Sequence, residues 1–148
     1  MIIKTGYYGD VEYKKEDLFF FPDGLFGFPE LKYYLPLCPN PEDDSLLLFQ
    51  STEQPDIAFV VINPVFLCPD YAPSLSPSEL AYLKVSDSEE LSYFVICVVR
   101  DNYLENTVNL KCPLAINPQT HTGMQIILED SGYEYRHHLS SFTTIRQE

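Results

Sequence analysis

The sequence predicts an all-β, mainly antiparallel fold: one compact, β-barrel-like domain with one or two short helices. Three observations lead there. Roughly eight to ten short runs of β-branched, aromatic and aliphatic residues recur along the chain, each bounded by Pro, Gly, Asn or Asp. Many of these runs are apolar at successive positions, so both faces are buried, as expected where a curled sheet packs on itself. Only one stretch carries a full set of helix-start signals. At 148 residues with 45% apolar content, including 11 Tyr and 10 Phe, the chain has ample core for a single domain. The domain is expected over residues 1–139, with residues 140–148 a polar, frayed tail.

Taken in order, Ile2–Thr5 and Tyr8–Tyr13 form a first pair joined near Gly6 and Gly9. Leu18-Phe19-Phe20-Phe21 is a buried run that leads into Pro22-Asp23-Gly24-Leu25-Phe26-Gly27-Phe28-Pro29, where glycines alternate with large apolar residues. That alternation suits a turn with a permissive backbone and buried rings. Glu30–Leu35 reads equally as a helical turn or as extended chain. Pro36 to Asp44 is a loop, and Leu46–Ser51 and Ile57–Ile62 are strands bounded by Gln54-Pro55-Asp56 and Asn63-Pro64. Ser76-Pro77-Ser78-Glu79 combines an N-cap serine, proline at the first helical position and a capping-box glutamate, which predicts a short helix to about Lys84. Asp87–Glu90 is a candidate single turn. Ser92–Arg100 is the strongest strand and ends in a turn at Asp101-Asn102. Thr107–Lys111, Leu114–Asn117, Met124–Leu128 and Glu134–His138 complete the β-pattern, with a turn at Gly132 before the last.

Charge narrows the function. The formal net charge is −13, and residues 41–90 hold 10 acidic groups against Lys84 as the one base. Such a field repels nucleic-acid phosphates and draws in basic partners; its alternative is a solvated surface that aids solubility. The amino terminus has no apolar stretch suited to a signal peptide, and the longest apolar run, Phe94 to Val99, falls far short of the ~20 residues a spanning helix needs. A cytoplasmic protein with no membrane contact is expected. The four cysteines, Cys38, Cys68, Cys97 and Cys112, form no C-x-x-C pair. Three of them precede proline, but ordinary free thiols are preferred to a haem-responsive site.

No cofactor, metal or catalytic set is expected. G-x-S-x-G, a phosphate-cradling glycine loop and H-E-x-x-H are all missing from the sequence. His137 and His138 are neighbours that a strand would point to opposite faces, and His121 stands alone. Asp43-Asp44 and Glu89-Glu90 sit in polar segments with nothing to shift a pKa. Thr107 and Asn109 should share one strand face and fix a neighbouring loop by buried hydrogen bonds, with direct partner contact as the alternative. The candidate binding surface is Asn63-Pro64-Val65-Phe66-Leu67-Cys68-Pro69-Asp70-Tyr71 together with the acids that follow. Held extended by its prolines, it would offer apolar groups beside acid to a basic peptide or strand. Alternatively Phe66 and Leu67 are core, leaving Asp70 and Tyr71 exposed. The partner-contact candidates are Asp70, Tyr71, Glu79, Asp87, Glu89 and Glu90.

Gly9, Phe21 through Gly24-Leu25 to Gly27-Phe28, and Gln50-Ser51 stand in a definite order with Phe59-Val60-Val61, Pro64 and Tyr71. Thr107-Val108-Asn109-Leu110 with Pro113, and Gln125 in a β-run, follow. In that order and spacing, from Ile2 to His138, the chain resembles the flagellar assembly factor family, FliW. It departs in having Phe26 where proline is frequent, Phe49 where leucine is usual and Cys112 where alanine is common. The resemblance assigns structural roles to Gly24, Gly27, Phe28, Gln50, Ser51, Pro64, Thr107, Asn109, Leu110, Pro113 and Gln125. It implies a β-barrel-like fold without catalysis. It further implies binding to the basic translational repressor CsrA, whose grip on the flagellin message is lowered away from its RNA contacts, and to newly made flagellin, which competes. A dedicated flagellin chaperone with no translational role is the alternative; a small hydrolase or metal enzyme is a third and weaker one. The free protein is expected to be a monomer.

Overall fold

The computed structural model describes residues 2–5, 9–39, 42, 46–98, 106–128 and 132–138. Its strands are β1 (Ile2–Thr5), β2 (Gly9–Glu12), β3 (Phe19–Phe20), β4 (Tyr33–Leu37), β5 (Leu46–Ser51) and β6 (Ala58–Ile62). They continue with β7 (Ser92–Val98), β8 (Thr107–Val108), β9 (Leu114–Ile116), β10 (Gly123–Gln125) and β11 (His137–His138), and one helix, α1 (Pro77–Tyr82), lies between β6 and β7. β1 and β2 form a separate hairpin. The main sheet runs β10-β9-β7-β6-β5-β4-β3, with β8 on β7 and β11 on β8, and every ladder between these strands is antiparallel. Its two ends meet through a single parallel bridge, Phe20 to Thr122, in which the Phe20 N–H donates to the His121 carbonyl at 2.8 Å. The sheet is therefore curled without being closed by a ladder, and the expected barrel holds only loosely.

Runs that read as apolar on both faces are so because the curled sheet carries a core on each side. Phe21, Tyr34, Phe49, Val61, Leu114 and Ile116 fill one. Ile62, Val95, Val108, Leu110, Ala115 and Ile126 belong to the other. Sequence neighbours such as Val61 and Ile62, or Leu114 and Ala115, thus fall in opposite cores, as a period of two demands. The first core is tied by aromatic edges: Phe21 on Tyr34 at 5.7 Å, Phe28 on Phe59 at 5.2 Å and Phe49 on Phe94 at 5.4 Å.

Local boundaries shift for identifiable reasons. The undecided stretch at Glu30–Leu35 resolves as a turn, with the Leu31 N–H on the Phe28 carbonyl, followed by β4. The helix stops at Tyr82, two residues early, because Lys84 takes φ 60° and the Val85 N–H reaches back to the Leu80 carbonyl. Asp87–Glu90 yields a 3₁₀ turn at Ser88–Glu90. The segment after β6, expected to be extended, is a 3₁₀ turn at Pro64–Phe66, and a further such turn stands at Lys15–Asp17. Thr107–Lys111 keeps only two strand residues, since Asn109 to Cys112 turn away, and Glu134–His138 likewise keeps His137–His138. Residues Gly6, Asp43, Asp44, Asp101 and Asn102, and the tail at 140–148, lie outside the described residues.

The glycine-aromatic turn needs its glycines unequally. Gly24 sits at φ 66°, and a Cβ there would run into the Phe28 carbonyl oxygen and come within 2.7 Å of the Pro29 Cα. Gly27 sits at φ 87° in open space. Gly24→Ala should therefore cost well over the ~1 kcal/mol set by positive φ alone, whereas Gly27→Ala should cost about that amount. Urea unfolding of both variants checks this; equal losses would contradict the steric account.

Candidate functional site

A short reverse turn, Asn109 to Pro113, receives buried side-chain hydrogen bonds from two distant parts of the chain. The Asn109 side-chain Oδ1 accepts from the Cys112 N–H at 3.0 Å and so closes the turn on itself. The Leu110 carbonyl accepts the buried Tyr71 hydroxyl at 2.6 Å, and the Cys112 carbonyl accepts Gln125 Nε2 at 3.1 Å. Gln125 Oε1 in turn accepts the Phe26 N–H at 2.8 Å, so one buried amide links this turn to the tip of the glycine-aromatic turn. Pro113 and Lys111 carbonyls accept the Ile126 and Leu128 N–H groups at 3.0 and 2.8 Å. A second buried amide does similar work elsewhere: Gln50 Nε2 lies within 3.2 Å of the Ser51, Pro55 and Ile57 carbonyls, and Ser51 Oγ accepts from the Glu53 and Gln54 N–H groups. Thr107 and Leu110 are buried. Pro64 is buried at the start of its 3₁₀ turn, where its carbonyl accepts from Leu67 and Cys68.

On this frame sit the loops that carry the acidic candidates. Asn63 Oδ1 caps the Pro64–Phe66 turn by accepting from the Val65 N–H. Val65 and Phe66 are about half exposed, at 52% and 51%, while Leu67 is buried at 1%. The two expectations for this stretch are thus each half right: Phe66 faces solvent and Leu67 is core. Tyr71 corrects the expectation of an exposed contact residue, because it is buried at 6%, with its ring 4.9 Å from that of Tyr133. Asp70 is exposed and lies electrostatically close to the Tyr133 hydroxyl.

Three of the remaining acids are engaged locally. Glu79 completes the predicted capping box, accepting from the Ser76 N–H at 2.8 Å while Ser76 Oγ accepts from the Glu79 N–H. Asp87 Oδ1 accepts from the Glu89 N–H. Glu90 Oε2 accepts from Ser86 Oγ and from the N–H groups of Ser86 and Asp87, and these bonds hold its carboxyl below the ordinary carboxylate range. Glu89 is exposed. Glu79 and Asp87 both lie close enough to perturb the Tyr93 hydroxyl, so they share one neighbourhood, whereas Asp70 sits beside Tyr133. Ser88 fastens the two loops together: its Oγ accepts the Leu75 N–H at 3.0 Å and its carbonyl accepts the Tyr93 hydroxyl at 2.7 Å.

Ser88, Tyr93, Tyr133 and Asn117 are the positions that sequence reasoning did not single out. Asn117 Nδ2 is buried and donates to the Leu83 carbonyl at 2.8 Å, which anchors the end of α1 to the sheet. A polar residue at the end of a strand and just before proline was its only signal. Among the described residues no three His, Cys, Asp or Glu side chains converge as a metal site would require, and no helix is long and apolar enough to cross a membrane.

The curled antiparallel sheet, the braced turn and the capped acidic loops define a small β scaffold that presents structured loops on its surface. The family model described as FliW protein matches residues 2–139, and the chain belongs to that family of flagellar assembly factors. A flagellar assembly factor FliW of Caldanaerobacter subterraneus subsp. tengcongensis is 38% identical over 137 residues, covering 93% of this chain and 91% of that one. The FliW of Bdellovibrio bacteriovorus is 35% identical over 147 residues, covering 99% and 82%. A crystal structure of the flagellar assembly factor FliW superposes with a TM-score of 0.85 at 32% identity, covering 94% of this chain and 96% of that one.

Two outcomes follow from the bracing. Gln125→Leu strips partners from the Cys112 carbonyl and the Phe26 N–H, and should cost about 2–4 kcal/mol in chemical denaturation. A loss under about 1 kcal/mol would show that the link is dispensable. Burial, ahead of any other cause, raises the Tyr34, Tyr71 and Tyr93 phenols above the ordinary 10.0, Tyr93 to about 12. Because folding favours their neutral forms, this stabilisation is complete below about pH 10 and is lost as pH rises through the folded values. Urea midpoints should fall steeply above about pH 10, and less steeply in Tyr93→Phe.

Proposed function

We propose that this chain is a cytoplasmic, non-enzymatic regulator that binds and antagonises a CsrA-type RNA-binding repressor and also binds flagellin. Binding to both would couple flagellin translation to flagellar assembly. The observation that carries this reading is the concentration of acid in residues 41–90. It is displayed at exposed Asp70, Asp87, Glu89 and Glu90 on loops fixed by hydrogen bonds from Ser86 to Glu90 and from Leu75 and Tyr93 to Ser88. A preset negative field attracts a basic RNA-binding protein and speeds encounter without any contact to RNA. Asp87 and Glu90 accept hydrogen bonds from their own loop, so the same side chains order it and supply its potential. Family membership supports the assignment, since the relatives named above are flagellar assembly factors.

The half-exposed Val65 and Phe66 favour a second reading, a flagellin chaperone without a translational role, because an apolar patch suits an export substrate as well as a repressor. A reporter behind a flagellin leader, in cells lacking flagellin, separates the two. Relief of repression by this protein supports the regulator; an unchanged reporter supports the chaperone. Asp70→Lys and the double reversal Glu89→Lys with Glu90→Lys should each weaken repressor binding about fivefold or more, chiefly through the association rate. Wild-type association rates in both variants would displace the site from these loops.

A further inference from the structure

The place where the sheet fails to close is also where a cleft of about 430 Å³ opens. It lies between the exit of the β1–β2 hairpin and the outer strands β3 and β4, with His121 from the joining bridge in its lining. Val11, Phe19, Pro36 and Leu37 give it half-buried apolar walls, and Glu12 and Asp17 stand on its rim, both exposed. No residue of 63–91 takes part in it. Lys14 and Lys15 belong to the same connection but do not line it; the Lys14 N–H is bound to Asp17 Oδ2 at 3.0 Å.

The backbone beside the cleft limits how a guest can bind. β3 pairs with β4 only at Tyr33 and Tyr34, so among the described residues Leu35 to Leu37 have no ladder partner on that side. The Tyr33 carbonyl accepts from the Thr52 N–H at 3.1 Å, and alternation along the strand then turns Pro36 towards the open side. Proline has no N–H to offer, so a guest chain cannot extend the sheet there by a full ladder and must be held by its side chains.

We propose that this seam cleft docks an extended basic segment of a partner protein. An apolar side chain of the segment packs between Phe19, Pro36 and Leu37, and a neighbouring Lys or Arg reaches Glu12 and Asp17. Charge complementarity selects this guest: two carboxylates, Glu12 and Asp17, stand in the lining, on a chain of net charge −13. The site is separate from the acidic loops at residues 70–90, and its occupancy neither requires nor supplies repressor binding.

The test is a titration of the full, isotope-labelled chain with the capped peptide Leu-Lys-Leu-Arg-Val, read by amide chemical shifts, beside the counterpart carrying Glu for Lys and Arg. The cleft predicts saturable shifts at residues 11–19, 35–37 and 121 for the basic peptide and none for the acidic one. Glu12→Lys with Asp17→Lys should weaken the basic peptide about tenfold. Since Asp17 also caps its own turn, Glu12→Gln, which leaves that turn intact, should weaken it about twofold. Shifts centred on residues 63–91, equal binding of both peptides, or no saturable shift at all would overturn the proposal.

Discussion

The fold depends on satisfying one buried turn. Asn109 to Pro113 leaves the sheet with Leu110, Cys112 and Pro113 buried, and an unpaired buried backbone group costs about 1–3 kcal/mol. Its groups are met by side chains from distant parts of the chain: Tyr71 on Leu110, Gln125 on Cys112, Asn109 on its own turn. Each of these bonds also positions what it comes from. Tyr71 pulls the loop after β6 against the sheet, and Gln125 fixes the backbone at Phe26. The loops that carry the exposed acids are therefore held indirectly by the turn that the core cannot do without.

The acidic loops follow the same economy. A carboxylate that caps a helix or turn gives up freedom of orientation but keeps its charge, and hydrogen bonds to the ionised form favour that form. Glu90 works in this way, while Glu79 and Asp87 order their turns by accepting from backbone N–H groups. Their field is consequently set before any partner arrives, which lowers the ordering cost of association. Exposed Val65 and Phe66, on a turn capped by Asn63, add apolar area to the same region of sequence.

Much of this was legible in the amino-acid sequence, and the parts that were not share a cause. The capping box at Ser76 and Glu79 is local chemistry within four residues, so it reads directly. Runs such as Phe59 to Ile62, apolar at every position, announce a sheet buried on both faces. Tyr71 reads poorly, because a tyrosine beside Asp70 and Pro69 has the composition of an exposed loop; its burial rests on the Leu110 carbonyl, 39 positions away. Gln125 stands in a β-run, but its two partners, Phe26 and Cys112, are fixed only by the tertiary fold. The sequence carries the helix two residues too far, to Lys84, because the left-handed position that ends it is filled by lysine and not by glycine. The seam between β3 and β10 is likewise invisible to local patterning, since among the described residues one bridge, Phe20 to Thr122, is the backbone pairing that joins it.

Centrally, we propose that the pre-set acidic loops bind a basic repressor in competition with flagellin. Calorimetric titration of the full chain with purified repressor, at low and moderate salt and again after saturation with flagellin, tests it most directly. The account predicts affinity that falls as salt rises and heat that vanishes once flagellin is bound. Repressor binding that ignores both salt and flagellin, or no binding at all, would contradict it.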